Sequence, residues 1–570
     1  MSADVSLGAA RPSVGVHDLL IVGAGFAGMY MLHRARGLGL DATVLEAGDD
    51  VGGTWYWNRY PGARCDIESF EYSYAFDEAL QQEWVWTERY APQAEILRYA
   101  QHVADRFGLR RDIRFRTRVV SAHYDAAAQR WNVGTEAGDT LQARWVVMAT
   151  GCLSAARVPE LPGAADFRGR QLHTGRWPHE PVSFAGQRVG VIGTGSSGIQ
   201  AIPVIAREAA QLVVFQRTPG YSLPAFNRPL PREALDEVKR DYPALRKRAR
   251  ESMAGVAGYP VPTRSAFDVD EAERDRIYET HWRAGRTSIG RSFTDLLTDA
   301  EANRTAADFV RAKIRASVAD PGLAETLLPR HAIATKRVCL DSGYYETYNR
   351  DNVRLVDLRR TPIERLTPDG IRIAGEDIAL DAIVYATGYD AMTGALLAMD
   401  IRGRDGLALR EAWQAGPRTQ LGLMTAGFPN LFFVTGPGSP SVLSNVIVCI
   451  EQHVDWIAGL LRALRSRGAG VVEPTLEAQD AWVAHVNALA ARTLYMDADS
   501  WYLGANVPGK PRVFMPYVGG VGPYRRLCDQ IAADGYPGFR FSAAGAPTEL
   551  SADPSAVPPA VPPAVPPAVP

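Results

Sequence analysis

Asp18-Leu-Leu-Ile-Val-Gly-Ala-Gly-Phe-Ala-Gly28 decides the fold of this chain. An apolar run that ends in glycines reads as a buried strand of a parallel sheet. A helix is predicted to follow from about Ala27 to Gly37, and then a second strand, Ala42-Thr-Val-Leu-Glu46. Together they make one strand–helix–strand unit. In the turn, Gly23 permits the tight bend, Gly25 lets the backbone approach a pyrophosphate, and Gly28 lets the helix pack on the strand. The phosphates would rest on the positive helix N-terminus. Glu46, ending the second strand, is placed to take ribose hydroxyls. An acid there fits a dinucleotide without a 2′-phosphate, such as FAD or NAD.

The same grammar returns further along. Strand Arg188–Ile192 runs into Gly193-Thr-Gly195-Ser196-Ser-Gly198, a helix is predicted over roughly 198–210, and the strand Leu212–Gln216 follows. This second strand ends in Gln216-Arg217-Thr218 instead of an acid. Arg217 can hold a 2′-phosphate by paired charge-assisted hydrogen bonds, which points to NADPH. The expected class is therefore α/β, with two Rossmann-like dinucleotide-binding domains, one inserted in the other, and a mostly helical insertion. Residues 18–150 with 385–545 are assigned to the FAD domain, 151–226 with 332–384 to the NADPH domain, and 227–331 to the helical insertion. In that insertion Arg232–Ala254 and Glu271–Trp282 show helical spacing, and the basic run Arg246-Lys-Arg-Ala-Arg250 reads as a solvated helix face. Strands are predicted at Ile371–Ile373 and Ala382–Ala386, and Ile450–Leu464 as an amphipathic core helix. Residues 1–17 and 546–570 are expected to be disordered; the second range holds the Ala-Val-Pro-Pro repeats.

Composition narrows the function classes. A chain of 570 residues is too long for one core. A net charge of -2 leaves no basic field for nucleic acid. No apolar run approaches the ~18–20 residues that span a bilayer, and the first residues lack the pattern of a signal peptide. The five cysteines are scattered with no C-x-x-C pair, which argues against a disulfide frame or zinc site and for a reducing, cytoplasmic home. The histidines show no metal-ligand spacing, so no metal is expected. Two dinucleotide folds imply electron flow from NADPH to flavin; without a redox cysteine pair, a disulfide reductase is disfavoured.

Phe167-Arg-Gly169-Arg-Gln-Leu-His173-Thr-Gly-Arg-Trp177-Pro178 matches F-x-G-x-x-x-H-x-x-x-W-P. It lies in the link before the second glycine loop. Here the chain strongly resembles the type I Baeyer–Villiger monooxygenases. Two further motifs agree: Gly52-Gly-Thr54-Trp55 through Tyr60-Pro-Gly62 to Asp66, and Ala386-Thr-Gly-Tyr-Asp390. The resemblance runs from about Asp18 to Phe541.

The resemblance implies an NADPH- and dioxygen-dependent conversion of ketones to esters or lactones, through a flavin peroxide and a tetrahedral adduct, with a side activity on sulfides. It assigns Arg337 as the cation at the flavin face and Asp66 as its partner. It places Thr54, Trp55 and Asp66 at the cofactors, Lys336 and Thr218 with Arg217 at NADPH, and Trp501 over the nicotinamide ribose, with Asn506 in the same segment. His173 is implied to be a hinge and cofactor-positioning residue, and Trp177 to hold the link by packing. The ketone pocket is implied to include Ile67, Val338, Pro440, Leu443, Val446 and Met515. A small-molecule ketone, dioxygen and a monomeric state complete the expectation. The competing readings are an N- or S-oxidising flavin monooxygenase, an NADPH oxidase and a silent flavin-binding protein.

Overall fold

A computed structural model describes residues 15–543. The predicted N-terminal lead-in through residue 14 and the proline-rich tail lie outside these residues; His17 already begins the first strand.

Two mainly parallel sheets organise the molecule. The first has eight strands, and at its heart His17–Val22 lies between Ala42–Leu45 and Thr140–Met148, parallel to both. Leu19, Leu20 and Ile21 have no exposed surface, which is why this strand is apolar without alternation. Strands from late in the chain complete the sheet: Leu431–Phe433 pairs with Thr140–Met148, and Asp400–Arg402 pairs with Val119–Asp125. The second sheet has five parallel strands, in the order Val353–Asp357, Gln211–Gln216, Arg188–Ile192, Ala382–Tyr385 and Arg170–His173. The helices Phe26–Gly37 and Ser196–Glu208 follow the two glycine loops.

The fingerprint, expected in the link before the second glycine loop, carries a strand of its own: Arg170–His173 is the edge strand of the second sheet, paired with Ala382–Tyr385. The helix expected over Arg232–Ala254 is two helices, Arg232–Arg240 and Tyr242–Glu251. Pro243 stands in the first turn of the second, where a missing N–H costs nothing, and it cannot continue the first. Nor is the basic run there all solvated. Arg246 is buried, lies 4.9 Å from the Tyr242 ring centroid and donates to Gln81, Ser73 and the Glu71 carbonyl. Three later helices of this region begin on aspartates, Asp270, Asp299 and Asp320, whose carboxylates accept first-turn N–H groups.

Val446–Ser466 is a 21-residue helix that buries one broad face against Phe26–Gly37 and Val521–Ala533. The predicted stretch Ile450–Leu464 is its interior. No helix among the described residues is long and apolar enough to cross a membrane.

Candidate active site

One cavity of about 2410 Å³ is lined by both sheets, both glycine loops and the segment 497–506. Gly23, Gly25 and Glu46 reach it from the first sheet, and Gly193, Gly195 and Ser196 from the second. Gly28 and Gly198 lie behind the loops: a Cβ on either would fall 1.8 or 2.2 Å from the carbonyl oxygen of Gly23 or Gly193. These two positions therefore require glycine for close helix–strand packing. Each helix starts at a glycine with no side-chain cap, so its first N–H groups are left for a ligand. The Glu46 carboxylate accepts the N–H of Ala24 (2.6 Å) and of Gly48 (2.7 Å). Burial pushes its carboxyl above the usual range, against those two bonds.

Arg337 and Asp66 meet on the cavity wall. Arg337 Nε donates to Asp66 Oδ2 at 2.9 Å, Nη2 to Oδ1 at 2.7 Å, and Nη1 to the Val442 carbonyl at 2.5 Å. This is a bidentate pair with a third anchor, which fixes the guanidinium plane. Burial alone would lower the Arg337 pKa; the Asp66 charge outweighs it and raises it above the ordinary value. The cation is permanent.

A second charged group lies at the end of strand Gln211–Gln216. Arg217, Thr218 and Lys336 line the cavity there. Burial lowers the Lys336 pKa, Asp499 opposes this, and the neighbouring Arg217 adds to it. Two cations side by side, with the Thr218 hydroxyl, suit a dianionic phosphate. Trp501 lines the cavity beside Tyr502, with ring centroids 4.3 Å apart. Asn506 donates to the Tyr389 carbonyl at 2.8 Å.

The signature residues divide. Thr54 and Trp55 line the cavity, and Trp55 Nε1 donates to the Tyr72 hydroxyl at 3.1 Å. Of the fingerprint, Trp177 reaches the cavity, while Phe167, Gly169, His173 and Pro178 do not. Phe167 is buried under the second sheet, and the Phe167 ring covers Gly169. His173 Nδ1 accepts the Gly175 N–H at 2.9 Å, and Nε2 faces the Arg157 carbonyl at 3.2 Å. The first bond requires a bare Nδ1, so the proton sits on Nε2. Burial pulls this imidazole below its usual pKa, which keeps it neutral. The geometry is that of a residue holding a turn.

Among the six expected pocket residues, Ile67 and Val446 line the cavity. Val338, Pro440, Leu443 and Met515 do not. Along the extended chain 337–339 the side chains alternate: Arg337 and Cys339 face the cavity, and Val338 turns into the second core. Met515 is buried in the first core, where its backbone joins Gly438 (2.8 Å) to Tyr502 (2.9 Å). The sequence reading assigned no site role to Val442, Ser444, Ile447, Ile450, Tyr60 or Gln200, all on the wall. Val442 acts through its carbonyl, which no side-chain pattern reveals. Among the described residues, no group of three or more His, Cys, Asp or Glu side chains is arranged to hold a metal ion.

The site and fold thus define a two-dinucleotide oxidoreductase. The flavin-binding monooxygenase-like family matches residues 17–228. A Baeyer-Villiger monooxygenase of Pseudooceanicola batsensis is 42% identical over 91% of this chain and 95% of its own length. Among solved structures, an oxidized steroid monooxygenase bound to NADP is 52% identical, with a TM-score of 0.89, over 93% of this chain and 100% of that one. OTEMO in complex with FAD and NADP is 41% identical, with a TM-score of 0.89, over 92% and 99%. The chain belongs to the Baeyer–Villiger monooxygenase family. It is an NADPH- and dioxygen-dependent flavoprotein that converts ketones to esters or lactones.

Proposed function

We propose that the substrate is a cyclic ketone, up to steroid size, and that Arg337 is the catalytic cation which Asp66 positions. The carrying observation is the bidentate Arg337–Asp66 pair on a wall shared by both glycine loops. The 52% identity to a steroid monooxygenase supports the size class. A bound flavin would supply the redox chemistry, with NADPH as its reductant and dioxygen as its oxidant. Arg337 holds positive charge where negative charge would develop on the substrate oxygen. Asp66 offsets the cost of burying that cation. Gly23, Gly25 and Glu46 would hold FAD. Gly193, Gly195, Ser196, Arg217, Thr218 and Lys336 would hold NADPH, with Trp501 beside it on the cavity wall. Ile67, Val446 and the missed Val442 form the apolar side of the ketone pocket, which also admits sulfides.

The monomer and the cytoplasmic location are part of the same proposal. Support comes from five free cysteines and from exposed large apolar side chains that are spread along the chain from Val16 to Leu476. Sedimentation of the holoenzyme tests the first, and fractionation of the producing cell the second.

The deciding experiment follows NADPH consumption and ester formation over cyclic and steroid ketones. One ester per NADPH with a ring ketone is the expected result. Hydrogen peroxide alone from every ketone, at a rate indifferent to Arg337→Ala, would show an oxidase instead.

A further inference from the structure

Gln200 lies in the second turn of helix Ser196–Glu208, just past the second glycine loop. Its side chain reaches across to the signature segment of the other nucleotide-binding unit. The Tyr60 hydroxyl donates to Gln200 Oε1 at 2.8 Å, and Gln200 Nε2 donates to the Arg64 carbonyl at 3.0 Å. Both ends of one amide are used, so its orientation is set by the network. The Ser197 side chain also faces the Tyr60 hydroxyl. The backbones close on the same seam: a Cβ on Gly62, whose φ is +83°, would lie 2.3 Å from the Gln200 carbonyl oxygen.

Two residues beyond Arg64 stands Asp66, which holds Arg337. A short run of chain therefore links the helix that receives the nicotinamide nucleotide to the cation at the reacting centre. Tyr60 and Gln200 both line the cavity beside that centre. An amide gripped at both ends sets a distance, where a packed apolar side chain would tolerate sliding.

We propose that Gln200 is a positioning residue, whose clamp on Tyr60 and Arg64 registers the Asp66–Arg337 pair against the nicotinamide nucleotide and so couples NADPH oxidation to oxygen transfer. This rests on the reading of Arg337 as the catalytic cation. Displacements well below an ångström suffice for such an effect, since misplacement by about 1 Å costs roughly 10²-fold in rate.

The test is product yield in the holoenzyme. Gln200→Leu keeps the bulk and removes both hydrogen bonds; Gln200→Glu keeps the acceptor for Tyr60 and loses the donor to Arg64. For each, ester and hydrogen peroxide per NADPH are measured, with the NADP+ dissociation constant by calorimetry and the melting temperature. Both variants are expected to lower ester per NADPH about tenfold and raise peroxide to match, with little change in NADP+ affinity or melting temperature. In an Asp66→Ala background, Gln200→Leu should add no further loss, because the clamp acts through that aspartate. Full coupling in Gln200→Glu, or an undiminished further loss in the Asp66→Ala background, overturns the proposal. A wild-type enzyme that makes only hydrogen peroxide from every ketone, at a rate indifferent to Arg337→Ala, would overturn the reading of Arg337 itself, before any Gln200 variant is compared.

Discussion

Arg337 carries five N–H groups, and its bonds to Asp66 and Val442 hold it from two sides. Lysine at this position could not reproduce the fork. Arg337→Ala and Arg337→Lys are both expected to cut kcat for ester formation by roughly 10²–10³-fold or more, as loss of a preorganised donor does. Product formation at saturating ketone checks this. Glu451 offers a different test. Burial pushes its carboxyl up to about 7, although the Ala75 N–H and the Arg246 charge hold the ionised form and Asp455 opposes it. The folded chain thus keeps a proton that the unfolded chain has already lost. The contribution of this group to stability is fully present below its ordinary value of 4.5 and is lost as pH rises to about 7. Glu451→Gln should therefore stabilise the protein at pH 8, by up to roughly 3 kcal/mol, and be nearly neutral at pH 4.5. Denaturation at the two pH values decides it. Glu451 was invisible in the sequence, because a single acid within an apolar helix does not announce its burial. Arg337 stood out only through its resemblance to a family motif.

The glycine-punctuated units were legible as elements, because apolar strands, tight turns and helix starts each have a local cause. Strand Arg188–Ile192 was predicted with its observed bounds, and the helix after it within two residues. Less legible was which face an element shows. Val338 was taken for the pocket and lies on the other side of the chain from Arg337. The break before Pro243 had a local signal in the proline itself, which the helical spacing around it masked. At the scale of the strand end, Arg217 makes a clear prediction. Arg217→Ala should weaken NADPH by about 10- to 100-fold, the worth of a hydrogen bond to a charged group, and leave NADH nearly unchanged. Steady-state KM values for the two nucleotides check it.

Across the whole molecule, Glu68 ties the helical region 227–331 to the signature segment. It accepts Arg89 Nε at 2.6 Å and Arg286 Nη2 at 2.8 Å, with both Glu68 and Arg89 buried. Arg89 in turn donates to the Ala284 carbonyl at 2.7 Å, and Tyr90 to that of Gly285 at 2.6 Å. Removing one partner of a buried pair strands the other charges, so Glu68→Ala should cost roughly 3–5 kcal/mol. A fall in melting temperature is the expected signature; an unchanged melting temperature would show the network to be dispensable. Long-range joints of this kind have no sequence signal, since the partners stand 21 and 218 positions apart. The fingerprint shows the same limit: its pattern was readable, but its membership of a sheet edge depends on Ala382–Tyr385, far along the chain.

The third anchor of Arg337, the Val442 carbonyl, belongs to the loop that also shapes the apolar side of the cavity. On the proposed roles of Arg337 and this pocket, selectivity and turnover share one loop of backbone. A laboratory campaign that shortens, lengthens or swaps residues 440–446 to admit a new ketone moves that carbonyl as well as the side chains. Changes confined to side chains, such as those at Ile67 and Val446, leave the anchor in place. Libraries built on the two kinds of change should separate sharply in how many active members they contain, and the loop-length library should be the poorer one even for the ketone it was built to accept.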